Sequence, residues 1–311
     1  MLTTLFIVLR IFANPISNVS QKQLTQRSAH PVFIITVVFG ALAGVCAMLW
    51  AALGTIVVPP GVWTTMLIAA MLAVASNVLL VYALREADLS LLGPINAYKS
   101  VVSLVLGVFL IGERPTMVGV VGVLLIVAGS YFVVGPQKNT QQGGSRTADR
   151  DKPATQPAAN AFVRFFSERG IQLRFAALFL SAAEAIVLKR AIVASSPLAV
   201  FVLWSVLGLP IALTAAAAIL RGEFIAQVHL LRRSPGTYVF LALTTGIMQL
   251  ATVLTFRDLQ VGYSLALFQL SAIVSVVLGR RYFGEAHLRE RLVGSAFMAA
   301  GAAVIAVQEH K

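Results

Sequence analysis

The stretch SLVLGVFLIGERPTMVGVVGVLLIVAG, residues 103–129, decides the fold, because its pattern occurs twice in the chain. The second copy, SVVLGRRYFGEAHLRERLVGSAFMAAG, lies 172 residues further on, at residues 275–301. The identical positions are Ser103, Leu106, Gly107, Gly112, Glu113, Gly122 and Gly129 in the first copy, and Ser275, Leu278, Gly279, Gly284, Glu285, Gly294 and Gly301 in the second. Each copy predicts an apolar helix, a tight Gly-Glu turn and a second apolar helix. We interpret the chain as a tandem duplication.

The composition indicates a membrane protein. Hydrophobic residues make up 58% of the 311 residues and charged residues only 12%, whereas a soluble domain has about 25% charged residues. The apolar runs approach the roughly 20 residues that cross the hydrocarbon core of a bilayer. The sequence therefore predicts an all-α integral membrane protein.

Charge and cysteine usage exclude several other classes of protein. The net charge of +12 comes mainly from Lys and Arg near helix ends and in one linker, a distribution that membrane orientation and lipid headgroups explain. We expect no nucleic-acid partner, because no soluble module could carry one. The single cysteine and the four histidines share no ligand spacing, so we expect no disulfide, metal or cofactor. The N-terminus lacks the features of a signal peptide and is predicted to be a first spanning helix.

The apolar segments predict ten transmembrane helices. They cover residues 3–23, 32–52, 62–83, 88–111, 115–135, 171–192, 198–220, 236–256, 260–281 and 290–307. The polar break at 136–170 predicts a partly disordered linker, whose last ten residues are either a short interfacial helix or an ordinary linker end. The predicted domains are therefore a first five-helix repeat, 1–135, the linker, 136–170, and a second five-helix repeat, 171–307.

An odd number of spans per repeat places the two repeats in opposite orientations, an arrangement found in secondary transporters. Loops after odd-numbered spans carry 17 Lys and Arg residues, and loops after even-numbered spans carry 5. The positive-inside rule therefore predicts a cytoplasmic linker and two external termini.

The repeated pattern and the five-plus-five layout resemble the drug/metabolite transporter superfamily, specifically its ten-span EamA-like members. The similarity is strongest over LLGPINAYKSVVSLVLGVFLIGERPTMVGVVGVLLIVAG (91–129) and ALFQLSAIVSVVLGRRYFGEAHLRERLVGSAFMAAG (266–301), and NPISNVSQKQLT (14–25) looks like a first helix of that group. The resemblance implies that spans 1, 3, 4, 6, 8 and 9 surround a central cavity, through which small metabolites move by alternating access. It also implies cytoplasmic termini, the opposite of the charge count, and the direction of transport stays open.

Polar residues within the apolar spans predict a cavity, because a charge at the middle of a membrane helix costs at least ~2.5–3.5 kcal/mol. These residues recur at helical spacing, so they form stripes on single helix faces. The predicted substrate-binding residues are Asn14, Asn18, Asn77, Asn96, Lys99, Glu184, Gln249 and Ser271.

Lys99 and Glu184 are the ionisable residues deepest in the apolar spans. We expect Lys99 to recognise an anionic group, and Glu184 to pair with Lys99 or to bind a coupling proton. The alternative is a static Lys99–Glu184 pair, or side chains that extend to the membrane interface, without substrate contact. Arg10 lies nearer a helix end and is a further candidate for the cavity.

Other repeated features predict structural roles. Glu113 and Glu285 stand where a carboxylate can cap the start of the next helix, and Pro94 predicts a kink beside Asn96 and Lys99. Six glycines predict close packing between helices: Gly40, Gly44, Gly122, Gly129, Gly294 and Gly301.

The predicted function is secondary transport, as an exporter in the plasma (bacterial inner) membrane, of an amino-acid-like or amphipathic metabolite. Without a Walker motif, an ion gradient or the substrate's own gradient would supply the energy. A flippase for a lipid-linked headgroup and a non-transporting scaffold are the alternatives. An intramembrane enzyme is disfavoured, because the spans hold no catalytic cluster. The expected partners are the small-molecule substrate, membrane lipids and a coupling proton or other ion, and the protein is a monomer or a homodimer.

Overall fold

The computed structural model describes residues 2–53, 58–99, 101–102, 117–134, 166–259 and 261–308. Within these residues all regular structure is helical, which confirms the all-α prediction. The helices are α1 (Leu2–Gln26), α2 (Pro31–Leu53), α3 (Pro60–Glu86), α4 (Leu89–Ile95), α5 (Met117–Val134), α6 (Arg169–Ala194), α7 (Pro197–Leu220), α8 (Phe224–Arg233), α9 (Pro235–Asp258), α10 (Val261–Phe268), α11 (Ser271–Phe283) and α12 (Leu288–Gln308). The short helix α8, between α7 and α9, was not predicted.

The surface of the bundle is that of a protein surrounded by lipid. Among the described residues, seven helical segments are long and apolar enough to cross a membrane, and Met117–Gly129 is a shorter apolar helix. Large hydrophobic side chains such as Leu49, Met71 and Leu243 are exposed on the outside, as expected where lipid replaces water. The prediction of an integral membrane protein is confirmed, whereas the count of ten spans stays a prediction.

Part of the first motif and most of the linker lie outside the described residues. This applies to Ser103, Leu106, Gly107, Gly112 and Glu113, to the end of the predicted fourth span, and to 136–165. At the end of the linker, Arg169 and Gly170 begin α6. The division into two repeats and a linker therefore stays a prediction.

The two halves of the chain interlock. Each of the largest helix–helix interfaces joins one helix from residues 2–134 to one from residues 169–308. The pairs are α5 with α12, α3 with α6, α1 with α9, α2 with α7, and α4 with α11. Neither half could therefore be separated without exposing most of its packed surface.

Glycines allow the close approach of α5 to α12. A Cβ atom on Gly129 would lie 2.8 Å from the Gly294 carbonyl oxygen, and one on Gly301 would lie 2.6 Å from the Gly122 carbonyl oxygen. The prediction of close packing is confirmed at these contacts. It is wrong for Gly44, where a Cβ atom would meet nothing within 4 Å, because this face of α2 has no helix packed closely against it.

Two helices break near the centre of the bundle. After Pro94, α4 ends at Ile95, and the N–H groups of Asn96, Ala97 and Lys99 donate to carbonyls three residues earlier. This break confirms the predicted kink. The predicted ninth span, 260–281, was expected to be continuous, but it breaks between α10 and α11 at 269–270.

The second break has a local cause in the side chain of Gln269. Its Nε2 donates to the Leu265 carbonyl at 3.0 Å, the acceptor that the Gln269 N–H would use in a continuous α-helix. The N–H donates instead to the Ala266 carbonyl at 3.0 Å, which gives a tighter turn. No proline or glycine marks this turn, so the sequence analysis did not detect it.

Glu285 holds one end of the bundle together. Its two carboxylate oxygens accept hydrogen bonds of 2.7 Å from the N–H groups of Leu89 and Ser90, and Oε1 lies 2.9 Å from Lys22 Nζ. Arg291 Nη1 lies 3.7 Å from Glu285 Oε2. The prediction that Glu285 caps the helix following it is therefore wrong: it caps α4, because the packing of α11 on α4 brings the carboxylate to that N-terminus.

Lys22 and Lys189 make related contacts in the two halves. Lys22 Nζ donates to the Ala87 carbonyl at 2.9 Å, at the end of α3. Lys189 Nζ donates to the Leu259 carbonyl at 3.1 Å, at the end of α9. The two acceptors are 172 residues apart, the same shift that relates the two copies of the motif. Each lysine thus fixes the end of a helix that lines the cavity described next.

Candidate substrate-binding cavity

A polar cavity of about 100 Å³ lies between the two halves. Its walls come from α1, α3, α6, α9 and α10, and from the residues that follow the break after α4. Six of the eight predicted substrate-binding residues line it, namely Asn14, Asn77, Asn96, Lys99, Glu184 and Gln249. Both broken helices therefore contribute to the same cavity, as in transporters whose sites lie at discontinuous helices.

The other two predicted residues are buried but do not line this cavity. Asn18 lies on α1, one turn beyond Asn14. Ser271 begins α11, and its carbonyl accepts a hydrogen bond of 3.0 Å from Ser275 Oγ. Substrate contact by Asn18 and Ser271 would need a different arrangement of α1 and α11.

Glu184 is the one acidic side chain on the described part of the cavity wall. Its Oε1 accepts a hydrogen bond of 2.9 Å from the indole Nε1 of the buried Trp204. Glu184 also attracts Lys99 and Arg10 electrostatically, but no salt bridge among the described residues joins it to Lys99. The static Lys99–Glu184 ion pair that the sequence left open is therefore not formed.

Arg10 spans the junction of α1, α9 and α10. Its Nε donates to Thr252 Oγ1 at 2.8 Å, and the centre of its guanidinium group lies 5.0 Å from the centroid of the Phe268 ring. Its Nη1 is buried and has no hydrogen-bond partner among the described residues. The guanidinium group is therefore fixed in position and has one donor that reaches no acceptor in the described part of the chain.

Arg174 is a cavity residue that the sequence analysis missed. Its Nη2 donates to Asn96 Oδ1 at 2.7 Å and its Nε to the Leu92 carbonyl at 3.2 Å. It lies near the start of the predicted sixth span, 171–192, where a basic residue is expected at a helix end. The helical spacing could have identified it, because Ser181 and Glu184 follow Arg174 by seven and ten residues and therefore lie on the same face of a helix.

Two neutral side chains on the wall also have buried atoms without partners in the described part of the chain. They are the amide nitrogen Nε2 of Gln249 and the amide oxygen Oε1 of Gln269. A buried polar atom left without a hydrogen bond costs about 1–3 kcal/mol. Together with Arg10 Nη1, these atoms offer two donors and one acceptor to a molecule inside the cavity.

The fold and the cavity define the class of protein, which is a helical membrane protein with a polar site between two interlocked halves. The family follows from the comparison with known proteins. Residues 1–135 match the model of the EamA-like transporter family, which is part of the drug/metabolite transporter superfamily. The predicted resemblance is thereby confirmed.

The solved structures agree on the fold. Among them, 28 chains match, and one, described as "Crystal structure of protein", has 15% sequence identity and a TM-score of 0.61, over 99% of this chain and 97% of its own. At this identity the likeness shows the fold alone. No curated protein matches the chain.

Proposed function

We propose that the protein is a secondary transporter that moves a small metabolite across the membrane by alternating access through this cavity. The observation that carries the proposal is the placement of charged and polar side chains from both halves around one cavity, within a bundle of apolar helices. Such groups are costly in a membrane unless they serve a site or a pathway. The family of residues 1–135, whose members are transporters, supports the same reading.

The proposal gives each predicted residue a role. Asn14, Asn77, Asn96 and Gln249 hydrogen-bond the substrate, and Lys99 attracts an anionic group on it. Asn18 and Ser271 contact the substrate in a second conformation, in which α1 and α11 have moved. Glu184 carries a coupling proton, because it is the acidic group on the described wall. No enzymatic step and no cofactor are proposed.

The remaining parts of the proposal follow from charge and chain layout. We place the protein in the plasma (bacterial inner) membrane as a monomer or homodimer that exports its substrate, with an ion gradient or the substrate gradient as the source of energy. The excess of Lys and Arg supports a cytoplasmic position for the Glu285 end of the bundle. An impermeant thiol reagent tests this placement on a cysteine inserted in the linker: no labelling in intact cells is expected.

The test of function compares small molecules in the medium of cells expressing the wild type, Lys99→Ala or Arg190→Ala at equal levels. Arg190 is an exposed cation on α6, outside the cavity. A compound enriched outside by the wild type and by Arg190→Ala, but not by Lys99→Ala, is the expected result. Equal enrichment by all three proteins would contradict transport through the cavity.

A flippase is the second candidate, because a separate groove of about 420 Å³ opens on the outer surface of the bundle. It lies between α1, α9 and α11, and is lined partly by the exposed side chains of Phe240 and Tyr282. A lipid headgroup needs a lateral path of this kind. Movement of a fluorescent short-chain lipid across proteoliposomes, lost in Tyr282→Ala but kept in Lys99→Ala, would favour the flippase over the metabolite transporter.

A further inference from the structure

We infer that the groove between α9 and α11 is a binding site for an anionic phospholipid, with an acyl chain against α1 and the phosphate between Arg27 and Arg281. Among the described residues, none that lines this groove of about 420 Å³ also lines the polar cavity. The inference therefore goes beyond the proposed function and does not depend on it. It is carried by the shape of the groove, by the order of its apolar and polar residues, and by the charges at one end.

Helix α1 forms the floor of the groove. The groove residues on this helix are Ile16, Val19, Ser20 and Gln23. Their spacing of three, four and seven residues places them on one face of the helix, over about 10 Å of its axis. Helices α9 and α11 both pack against α1 and supply the two walls. The groove is therefore an elongated channel along α1 that is open to the surrounding lipid.

Three helix ends meet at one end of the groove. The end of α1 contacts the start of α9, where Arg27 Nη1 donates to Ser234 Oγ at 3.0 Å. The end of α1 also contacts the turn after α11, where Lys22 Nζ lies 2.9 Å from Glu285 Oε1. Residues late in α1, early in α9 and late in α11 therefore lie at this end, and the other groove residues lie deeper in the bundle.

The lining changes from apolar to polar in the same direction on all three helices. The deeper lining residues include the apolar Ile16, Val19, Phe240 and Leu278. The residues nearest the end carry polar groups, namely Gln23, Thr237 and Tyr282. Between the two sets, the Ser20 hydroxyl donates to the Ile16 carbonyl at 3.4 Å, within its own helix. A phospholipid has the same order of groups, an apolar chain followed by polar ester and phosphate groups.

Cations without carboxylate partners border the polar end of the groove. Arg27 follows Gln23 by four residues and Arg281 follows Leu278 by three, so each lies on the groove face of its helix. Both arginines are exposed, and neither forms a salt bridge with a described residue. The three bordering segments, 16–27, 232–240 and 278–284, contain no Asp or Glu. Arginine binds phosphate through parallel hydrogen bonds, so an anionic headgroup is the ligand that this end favours.

The short helix α8 places this end of the groove at the level of the lipid headgroups. It packs on the bundle through Gln227, whose Oε1 accepts a hydrogen bond of 2.8 Å from the His30 N–H. Its exposed residues include the apolar Ile225 and, at its end, Arg232 and Arg233. Apolar and basic side chains together are typical of a helix that lies in the membrane interface, where basic residues attract anionic lipids. Because α9 begins directly after α8, the start of α9 lies at the same depth.

The experiment titrates the purified, delipidated full-length protein with three probes and measures the bound fraction by native mass spectrometry. The probes are phosphatidylglycerol, phosphatidylcholine with the same acyl chains, and glycerol phosphate, which has no chains. Phosphatidylglycerol is expected to bind at least roughly tenfold more tightly than either of the other two. Equal affinity for the two lipids, or glycerol phosphate binding as tightly as phosphatidylglycerol, would overturn the inference.

Variants of the bordering arginines test where the phosphate lies. Arg27→Gln and Arg281→Gln are each expected to weaken phosphatidylglycerol binding roughly tenfold and to leave phosphatidylcholine binding unchanged, a selective effect that general misfolding would not produce. The matched control is Arg289→Gln, which removes the same charge from an exposed position on α12 that does not line the groove. Unchanged binding in both groove variants, or an equal loss in Arg289→Gln, would overturn the inference.

A second pair of variants tests where the acyl chain lies. Gly236 lines the groove, and a Cβ atom on it would meet nothing within 4 Å, so Gly236→Leu fills part of the groove without a clash. This variant is expected to weaken binding of both lipids roughly tenfold. Gly61→Leu is the control, because Gly61 also follows the first proline of its helix, also meets open space, and does not line the groove. Wild-type binding by Gly236→Leu would place the lipid outside the groove and overturn the inference.

Discussion

Single charged residues connect parts of this chain that are distant in sequence. Glu285 caps α4 at Leu89, 196 residues earlier in the chain, while Asp88, directly before α4, makes no side-chain cap. Burial raises the pKa of the Glu285 carboxyl, but the Lys22 ammonium and the donors of Ser90 and Lys22 outweigh burial and lower the pKa below its usual value. The carboxylate is therefore stabilised in its charged form.

Replacing this carboxylate should destabilise the fold. Glu285→Gln leaves the Lys22 and Arg291 cations without their shared counter-charge, and breaking such a buried pair costs about 3–5 kcal/mol. Unfolding in detergent should show a loss of this order, whereas Glu290→Gln, an exposed carboxylate at the start of α12, should change little. Equal stability of the two variants would contradict the role given to Glu285.

The same residue predicts how stability depends on pH. Because the folded pKa lies below the unfolded value of about 4.3, the stabilisation is fully present above that value and is lost as the pH falls through the lowered folded pKa. The difference in stability between the wild type and Glu285→Gln should therefore shrink below about pH 4. A difference in stability that grows as the pH falls would contradict this prediction.

Sequence analysis predicted many of the individual residues that line the cavity. It could do so because a polar residue in a membrane helix is costly and rarely lacks a role. Lys99, Glu184 and the line of asparagines could be identified without knowing their neighbours. The cap formed by Glu285 and the bond from Arg174 to Asn96 could not, because each depends on a contact between helices that only tertiary packing brings together.

At the scale of helices, the breaks after α4 and α10 form the cavity wall. The first break has a sequence signal, Pro94, which removes a backbone donor and restricts the residue before it. The second depends on a side chain, Gln269, that takes a carbonyl from its own helix. Glutamine is common in ordinary helices, so this break could not be predicted from residue type.

Restoring the helix at the first break should impair transport more than folding. Pro94→Ala favours a continuous helix by up to about 3 kcal/mol and would move Asn96 and Lys99 from the cavity wall, and displacements of this kind reduce activity roughly tenfold to a hundredfold. The matched control is Pro210→Ala, since Pro210 lies inside α7 and away from the cavity. Transport assays should show a loss only in Pro94→Ala; equal transport by both variants would refute the account.

Replacing a glycine by alanine is expected to have opposite effects on stability in α5 and in α2. Gly129→Ala would place a methyl group 2.6 Å from Met298 Cγ and 2.8 Å from the Gly294 carbonyl, and overpacking of this kind costs about 1–3 kcal/mol. Gly44→Ala meets open space and should stabilise α2 by about 0.5–1 kcal/mol. Thermal unfolding checks the signs, and destabilisation by Gly44→Ala but not by Gly129→Ala would contradict the packing described.

At the scale of the whole molecule, the cavity exists because the two halves interlock. Its wall needs α1 and α3 from the first half and α6, α9 and α10 from the second. The repeated motif predicted two related halves but not which helices would pair between them, because apolar faces of similar composition can pack in several ways. The proposed transport by alternating access would require these interfaces to open on one side of the membrane at a time.

Labelling of a single cysteine in the cavity tests this account most directly. In a Cys46→Ser background, which removes the chain's one cysteine, Ser181→Cys places a thiol on the cavity wall, and Ser295→Cys places a fully buried thiol on α12 as a control. An impermeant thiol reagent is applied to sealed vesicles from either side. The account predicts that Ser181→Cys is labelled from both sides and Ser295→Cys from neither. Labelling of Ser181→Cys from one side alone, or from neither, would contradict alternating access through this cavity.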